Sequence, residues 1–272
     1  MNEKKHYMSR REALKKGTMY MAATAMGTTF VPTLLRAGTT LQRTKDFNVL
    51  KYGAEGNGSA LDTAAIQKAI DEAAAYGRGA RVVLPGGHKF LSGTLELKSA
   101  IEFHLADDAE IIASTNKLDY REDGLILAHQ AEGLILSGSG NIDGQDLKFM
   151  SHFEEENEWW IPGDWRPKMF ILTACKDLQV RDISFGNAPF WGLHMMGCEH
   201  VLVDHINIRN KLNLPNCDGI DPDHCRDVEI SNCDIVCGDD AVVVKATRGG
   251  IQYGESSNIV VKDCVMKTQD SG

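Results

Sequence analysis

The sequence predicts an all-β chain wound as a parallel β-helix, with one α-helix capping its N-terminal end. Three observations lead there: an imperfect repeat, a two-residue alternation of apolar residues within each copy, and no hairpin signal between copies. The first copy is Cys175-Lys-Asp-Leu-Gln-Val-Arg-Asp-Ile-Ser-Phe185. It returns as Cys198-Glu-His-Val-Leu-Val-Asp-His-Ile-Asn-Ile208, then as Cys225-Arg-Asp-Val-Glu-Ile-Ser-Asn-Cys-Asp-Ile235. A last copy is Ser256-Ser-Asn-Ile-Val-Val-Lys-Asp-Cys-Val-Met266. Such spacings suit one solenoid coil per copy, and a coil buries its apolar face only against its neighbours.

Four apolar columns run through the copies. They are Leu178, Val201, Val228 and Ile259; Val180, Val203, Ile230 and Val261; Ile183, Ile206, Cys233 and Cys264; and Phe185, Ile208, Ile235 and Met266. The first two columns lie two residues apart, as do the last two, which is strand alternation with one face buried. The step between the second and third columns is one residue longer and marks a bend between two short strands. A β-sandwich would need hairpin signals such as Asn-Gly between strands, and none separates these copies.

Upstream the same grammar weakens. Ala131 to Gly144 reads as one coil and Leu95 to Ile112 as another. Before them lies one helix, with Asp62 as N-cap, Ile66, Ala69, Ile70 and Ala73 as its apolar stripe, and Gly77 as its stop. One amphipathic helix is enough to cover the open apolar end of a solenoid. Gln145 to Lys168 interrupts the repeat and is rich in Glu and Trp. It reads as a long loop beside the coils, with Trp159, Trp160 and Trp165 as possible sugar platforms.

Residues 1–37 differ from the rest. They carry Lys4, Lys5, Arg10, Arg11, Lys15, Lys16 and Arg36 against only Glu3 and Glu12. Ser9-Arg10-Arg11-Glu12-Ala13-Leu14-Lys15 has the twin-arginine pattern, a modestly apolar stretch runs from Met19 to Leu35, and Leu35-Arg36-Ala37 offers a cleavage site. The stretch is too polar, and too interrupted by Gly and Pro32, for a membrane span. We therefore expect a signal peptide at 1–37, a linker at 38–45 and the β-helix from 46 to 272, with a periplasmic or secreted product and no membrane partner. The net charge of −9 makes nucleic acid an unsuitable partner. Seven cysteines, an odd number all after residue 170, do not form a disulfide framework.

The chemistry concentrates in Asn216-Cys-Asp-Gly-Ile-Asp221 and Gly238-Asp-Asp240. Asp218 precedes Asp239 and Asp240 by about one coil, so they return to the same face in adjacent layers, about 4.8 Å apart. A lone Asp-Gly or Asp-Asp is ordinarily a turn. Three or four carboxylates stacked on one face are more than turns: glycoside hydrolysis needs one neutral and one ionised carboxyl group, and crowding supplies the neutral one. A calcium site is the competing reading of the same cluster.

At these residues the chain resembles family 28 of the glycoside hydrolases. Asn216-Cys-Asp-Gly-Ile-Asp221 is similar to its Asn-Thr-Asp motif, with Cys217 for Thr, and Gly238-Asp-Asp240 matches its Gly-Asp-Asp motif. Phe190-Trp191-Gly-Leu-His194, Phe47 to Ala54 and Thr63 to Ile70 resemble further segments. The likeness covers roughly 46–272. It implies a right-handed, pectin-lyase-like solenoid and an inverting hydrolase of pectic polysaccharide, polygalacturonan or rhamnogalacturonan in type, working as a monomer without cofactor or metal. It implies Asp239 as general acid, with Asp218 and Asp240 holding the attacking water at the wider carboxyl separation typical of inversion, about 6.5–9.5 Å. Asn216, Asp221, His194 and Lys245 are the implied substrate-binding and supporting residues. The family's Gly-His-Gly motif falls on Gln269-Asp270-Ser271, so Asp270 stands where the His is expected and joins the candidate substrate-binding residues. Its Arg-Ile-Lys motif would lie beyond Gly272. The alternatives are a calcium-dependent polyuronate lyase and a non-catalytic carbohydrate-binding β-helix. A solenoid ending at Gly272 is expected to leave an apolar end uncovered, so this chain is expected to aggregate and to be weakly active, as size-exclusion chromatography would show.

Overall fold

The computed structural model describes residues 45–269. The proposed signal peptide at 1–37, all but the last residue of the linker, and Asp270 lie outside them. The described chain is a right-handed parallel β-helix built from three sheets. The first has eight strands: Lys45–Asn48, Ala80–Leu84, Ile101–Leu105, Ile135–Gly138, Lys176–Arg181, Glu199–Asp204, Arg226–Ser231 and Ser257–Lys262. The second also has eight: Asn57–Leu61, Lys89–Ser92, Glu110–Ala113, Asn141–Asp143, Ser184–Gly186, Asn207–Arg209, Asp234–Cys237 and Val265–Thr268. The third has five: Leu95–Leu97, Gly124–His129, Lys168–Thr173, Leu193–Met196 and Ile220–Asp223.

The apolar columns of the sequence are the ladders of the fold. Leu178 pairs with Val201, Val201 with Val228 and Val228 with Ile259, all parallel. Phe185, Ile208, Ile235 and Met266 pair in the same way in the second sheet. The long step between columns is a two-residue corner. Its first residue takes a left-handed backbone: Asp182, His205, Asn232 and Asp263 have φ of 64°, 52°, 54° and 54°. Asp, Asn and His tolerate that conformation better than most residues. The second corner residue, Ile183, Ile206 or Cys233, turns inward and is buried.

The helix, α1, spans Thr63–Tyr76 and buries Ile66, Ala69, Ile70 and Ala73 against the first coils. Gly77 ends it, its N–H bonding to the Ala73 carbonyl. Asp62 sits at the N-cap position, yet its carboxylate does not cap the helix. It accepts instead from the backbone N–H groups of Glu55 and Gly56, at 2.7 and 3.0 Å. These two donors lie in the turn before the second-sheet strand, so Asp62 ties the first coil to the helix.

The stretch from Gln145 to Lys168 is not a plain loop. It holds an antiparallel hairpin, Met150–Glu154 with Trp159–Pro162, and its last residue opens a third-sheet strand. The cysteines are free, and among the described ones only Cys264 is not fully buried. At the far edge the columns lose their cover: Val261 is 42% exposed, and Ile259, Cys264 and Met266 are only partly buried.

Inside the coils, Phe170 and Phe185 meet edge to face at 5.1 Å, both fully buried. Phe185→Ala is expected to lower the free energy of unfolding by about 3–5 kcal/mol, read as a drop in the urea midpoint.

Candidate active site

The site lies where the second sheet turns into the third. Asp239 and Asp240 follow the strand Asp234–Cys237, and Asp218 precedes the strand Ile220–Asp223 of the previous coil. Gly219 donates its N–H to the Asp240 carbonyl at 2.9 Å, which locks the two turns in register. Gly219 and Gly238 have no room for a side chain. A Cβ would lie 2.4 Å from the Ala241 carbonyl in one case and 2.4 Å from the Leu214 carbonyl in the other. The result is the juxtaposition read from the spacing: carboxylate oxygens of Asp218, Asp239 and Asp240 lie within 4.8 Å of one another. That is closer than the separation expected for an inverting pair.

The three carboxylates differ in surroundings. Asp239 is partly exposed and accepts two backbone N–H groups at 3.0 Å, from Asn216 to Oδ2 and from Asp240 to Oδ1. Asp240 is also partly exposed. Asp218 is 2% exposed, and its Oδ2 accepts from Lys245 Nζ at 2.7 Å. Burial pushes the Asp218 pKa up, and the Asp239 charge adds to it, against the pull of Lys245.

Asp221 is not in the open cluster. It is 0% exposed, lies 3.3 Å from the same Lys245 ammonium, and neither of its oxygens has a hydrogen-bond partner. Burial, then the charge of Asp218, raises its pKa well above the ordinary carboxylate range. A buried carboxyl group with so few donors is held neutral more cheaply than charged. Lys245 is thus the shared cation of two acids. Burial works against its charge, but Asp221 and Asp218 outweigh burial and keep its pKa raised.

His194 is buried one coil earlier, in register with Asp221. Its Nε2 faces Asp223 Oδ2 at 3.2 Å and its Nδ1 faces Lys168 Nζ at 3.3 Å. Lysine can only donate, so Nδ1 accepts and Nε2 carries the proton. Burial, then repulsion from Lys168, lowers the His194 pKa to about 4, so the ring is neutral. Asp223 also accepts from the backbone N–H and hydroxyl of Thr247.

Several residues here went unread in the sequence. Arg166 donates to the carbonyls of Pro189 and Pro215 and to Asn216 Oδ1, at 3.0, 2.8 and 3.0 Å. It therefore fixes the segment whose Asn216 N–H holds Asp239. Trp191 lies under two ammonium groups, Lys168 at 4.0 Å and Lys245 at 4.4 Å from its ring centre, and stacks on Phe190. The hairpin docks beside them, Trp160 N–H donating to the Asn213 carbonyl at 3.0 Å. Trp165 is occupied elsewhere, edge-on to Tyr120 and Phe149, with its Nε1 on Asp123. His200 and His205 are on the surface. A signal for Asp223 was present, since it stands two residues after Asp221 on the same strand face.

The comparisons with known proteins agree with this fold. The family model described as glycosyl hydrolases family 28 matches residues 78–266. A probable polygalacturonase of Vitis vinifera is 29% identical over 246 residues, covering 83% of this chain and 49% of its own length. An exopolygalacturonase of Zea mays is 26% identical over 248 residues, covering 81% of this chain and 59% of its own. The chain thus spans about half the length of the curated relatives it matches. The solved hyperthermoactive exopolygalacturonase from Thermotoga maritima superposes with a TM-score of 0.72 at 26% identity, over 84% of this chain and 61% of that one.

The buried acids make a linkage test. Asp218 and Asp221 have folded pKa values above the unfolded value of about 3.9, so at these two groups the folded chain binds more protons than the unfolded one. Their stabilisation is complete below that value and is lost as pH rises through the folded pKa values. Relative to the parent chain, the Asp221→Asn variant is expected to gain in urea midpoint as pH rises above about 4.

Proposed function

Because this chain belongs to glycosyl hydrolases family 28, we propose that it cleaves the glycosidic bonds of a pectic polysaccharide, polygalacturonan or rhamnogalacturonan. The observation that carries the reading is the cluster of Asp218, Asp239 and Asp240 within 4.8 Å, with Lys245 on its buried member. Asp239, partly exposed and oriented by two N–H donors, protonates the departing glycosidic oxygen. Asp218 and Asp240 together clasp the water that attacks the anomeric carbon. The Lys245 ammonium opposes protonation of Asp218 and so favours its base form against the effect of burial. Two carboxylates on one water let it attack opposite the leaving group, so the reaction inverts the anomeric centre although the acids are close. Asn216 positions Asp239, while Asp221 and His194 act from behind as buried supports. A twin-arginine leader at 1–37 and a periplasmic or secreted location belong to the same reading.

The calcium-dependent lyase reading is weaker on one point. Lys245 already supplies a positive charge to Asp218, which a bound cation would have to share. A pure binding wall would have no use for three crowded carboxylates. The test follows reducing ends released from polygalacturonan and rhamnogalacturonan, with and without chelator, and the anomer formed first by NMR. Chelator-resistant cleavage giving the inverted anomer is expected, and Asp239→Asn should slow it by about 10²–10⁴. Unsaturated products would instead establish a lyase. No cleavage of either polymer by folded protein would sink the proposal.

A further inference from the structure

Lys168 occupies an unusual position for a cation. It opens the third-sheet strand Lys168–Thr173, whose Ile171 pairs with His194, and His194 pairs in turn with Asp221. Its backbone is therefore two coils on the N-terminal side of the strand that follows Asp218, and its ammonium reaches forward to the coil of Trp191 and His194. It rests 4.0 Å from the centre of the Trp191 ring, and Lys245, which holds Asp218, lies over that ring too. Yet Lys168 makes no ion pair among the described residues. Its one hydrogen-bond acceptor is the neutral Nδ1 of His194, and an ammonium has three N–H groups to place. Burial lowers its pKa, and the Lys245 charge opposes it further, although Asp221, Asp223 and Asp218 pull the other way from a distance.

The neighbouring cations are otherwise employed. The Arg166 guanidinium is spent on Pro189, Pro215 and Asn216, Lys245 on Asp218 and Asp221, and Lys211 on Asp146. Lys168 is also pre-set. Asp223 fixes the His194 tautomer, His194 accepts one Lys168 N–H, and the Trp191 face holds the charge in place. An ammonium fixed in this way, half-buried and without a counter-ion, is matched by a carboxylate brought by the ligand.

We propose that Lys168 is a substrate-recognition residue that binds the carboxylate of a uronic acid unit lying on the N-terminal side of the cleavage point. This rests on the pectic-substrate reading above, and it makes the chain selective for free acid over ester at that sugar. His194 and Asp223 are positioning residues for Lys168.

The experiment measures binding calorimetrically in the Asp239→Asn chain, where hydrolysis is slowed by about 10²–10⁴, so an error in the hydrolase reading shows in the reducing-end assay and not here. The probes are tetragalacturonate and its full methyl ester. The acid is expected to bind more tightly than the ester. Adding Lys168→Gln should weaken acid binding about tenfold or more and leave ester binding within about twofold, and Lys168→Arg should restore most of the acid binding. Equal weakening for both probes, no weakening, or no preference for the acid in the parent would overturn the proposal. If the Gln chain does not fold, the Lys168 side-chain resonance in lysine-labelled protein decides. A shift with acid and not with ester is expected, and equal shifts or none would overturn it.

Discussion

In-register parallel pairing is the constraint on which everything else in this chain depends. No coil closes a core of its own. Val180, Val203, Ile230 and Val261 are useful only because each lands on the one before it. The same return that stacks Ile208 on Ile235 also stacks the turn of Asp218 on the turn of Asp239 and Asp240. The core and the site are products of one periodicity, so a slip of register would dismantle both.

Against that rigid frame the fold accommodates groups that oppose folding. Two carboxyl groups with little or no exposure share one ammonium, a buried histidine is kept neutral, and an indole lies under two cations. Each is tolerable only because its partner is held by a different coil: Lys245 by the coil after Asp218, His194 by the coil before. Removing one partner from such a set leaves the other charge buried and uncompensated, which is why these groups depend on one another more than on local sequence.

The ladders of the first two sheets were legible because each copy shows a clean two-residue alternation at near-constant corner length. The capping helix was legible from its stripe of Ile66, Ala69, Ile70 and Ala73. The third sheet was not. Its strands follow connections of changing length, and the outward residues of Leu193–Met196 and Ile220–Asp223 are His194, Asp221 and Asp223, buried polar groups that spoil the alternation. The hairpin was hidden by its acidic tip at Glu154 to Glu158. The carboxylate cluster was readable from spacing alone, whereas Arg166 and Lys168 sit in the stretch where the repeat is silent and are recruited only in three dimensions.

The corners of each coil therefore have unequal freedom. Between the first and second sheets, Asp182-Ile183, His205-Ile206, Asn232-Cys233 and Asp263-Cys264 allow neither gain nor loss of a residue, since one insertion would turn Phe185 or Ile208 toward solvent. Between the second and third sheets the chain inserts a whole hairpin, Met150–Pro162, without disturbing a ladder. Variation in length is thus steered to the rim of the groove. Such a scaffold can diversify what it grips by lengthening or trimming that rim while the coils beneath it remain the same.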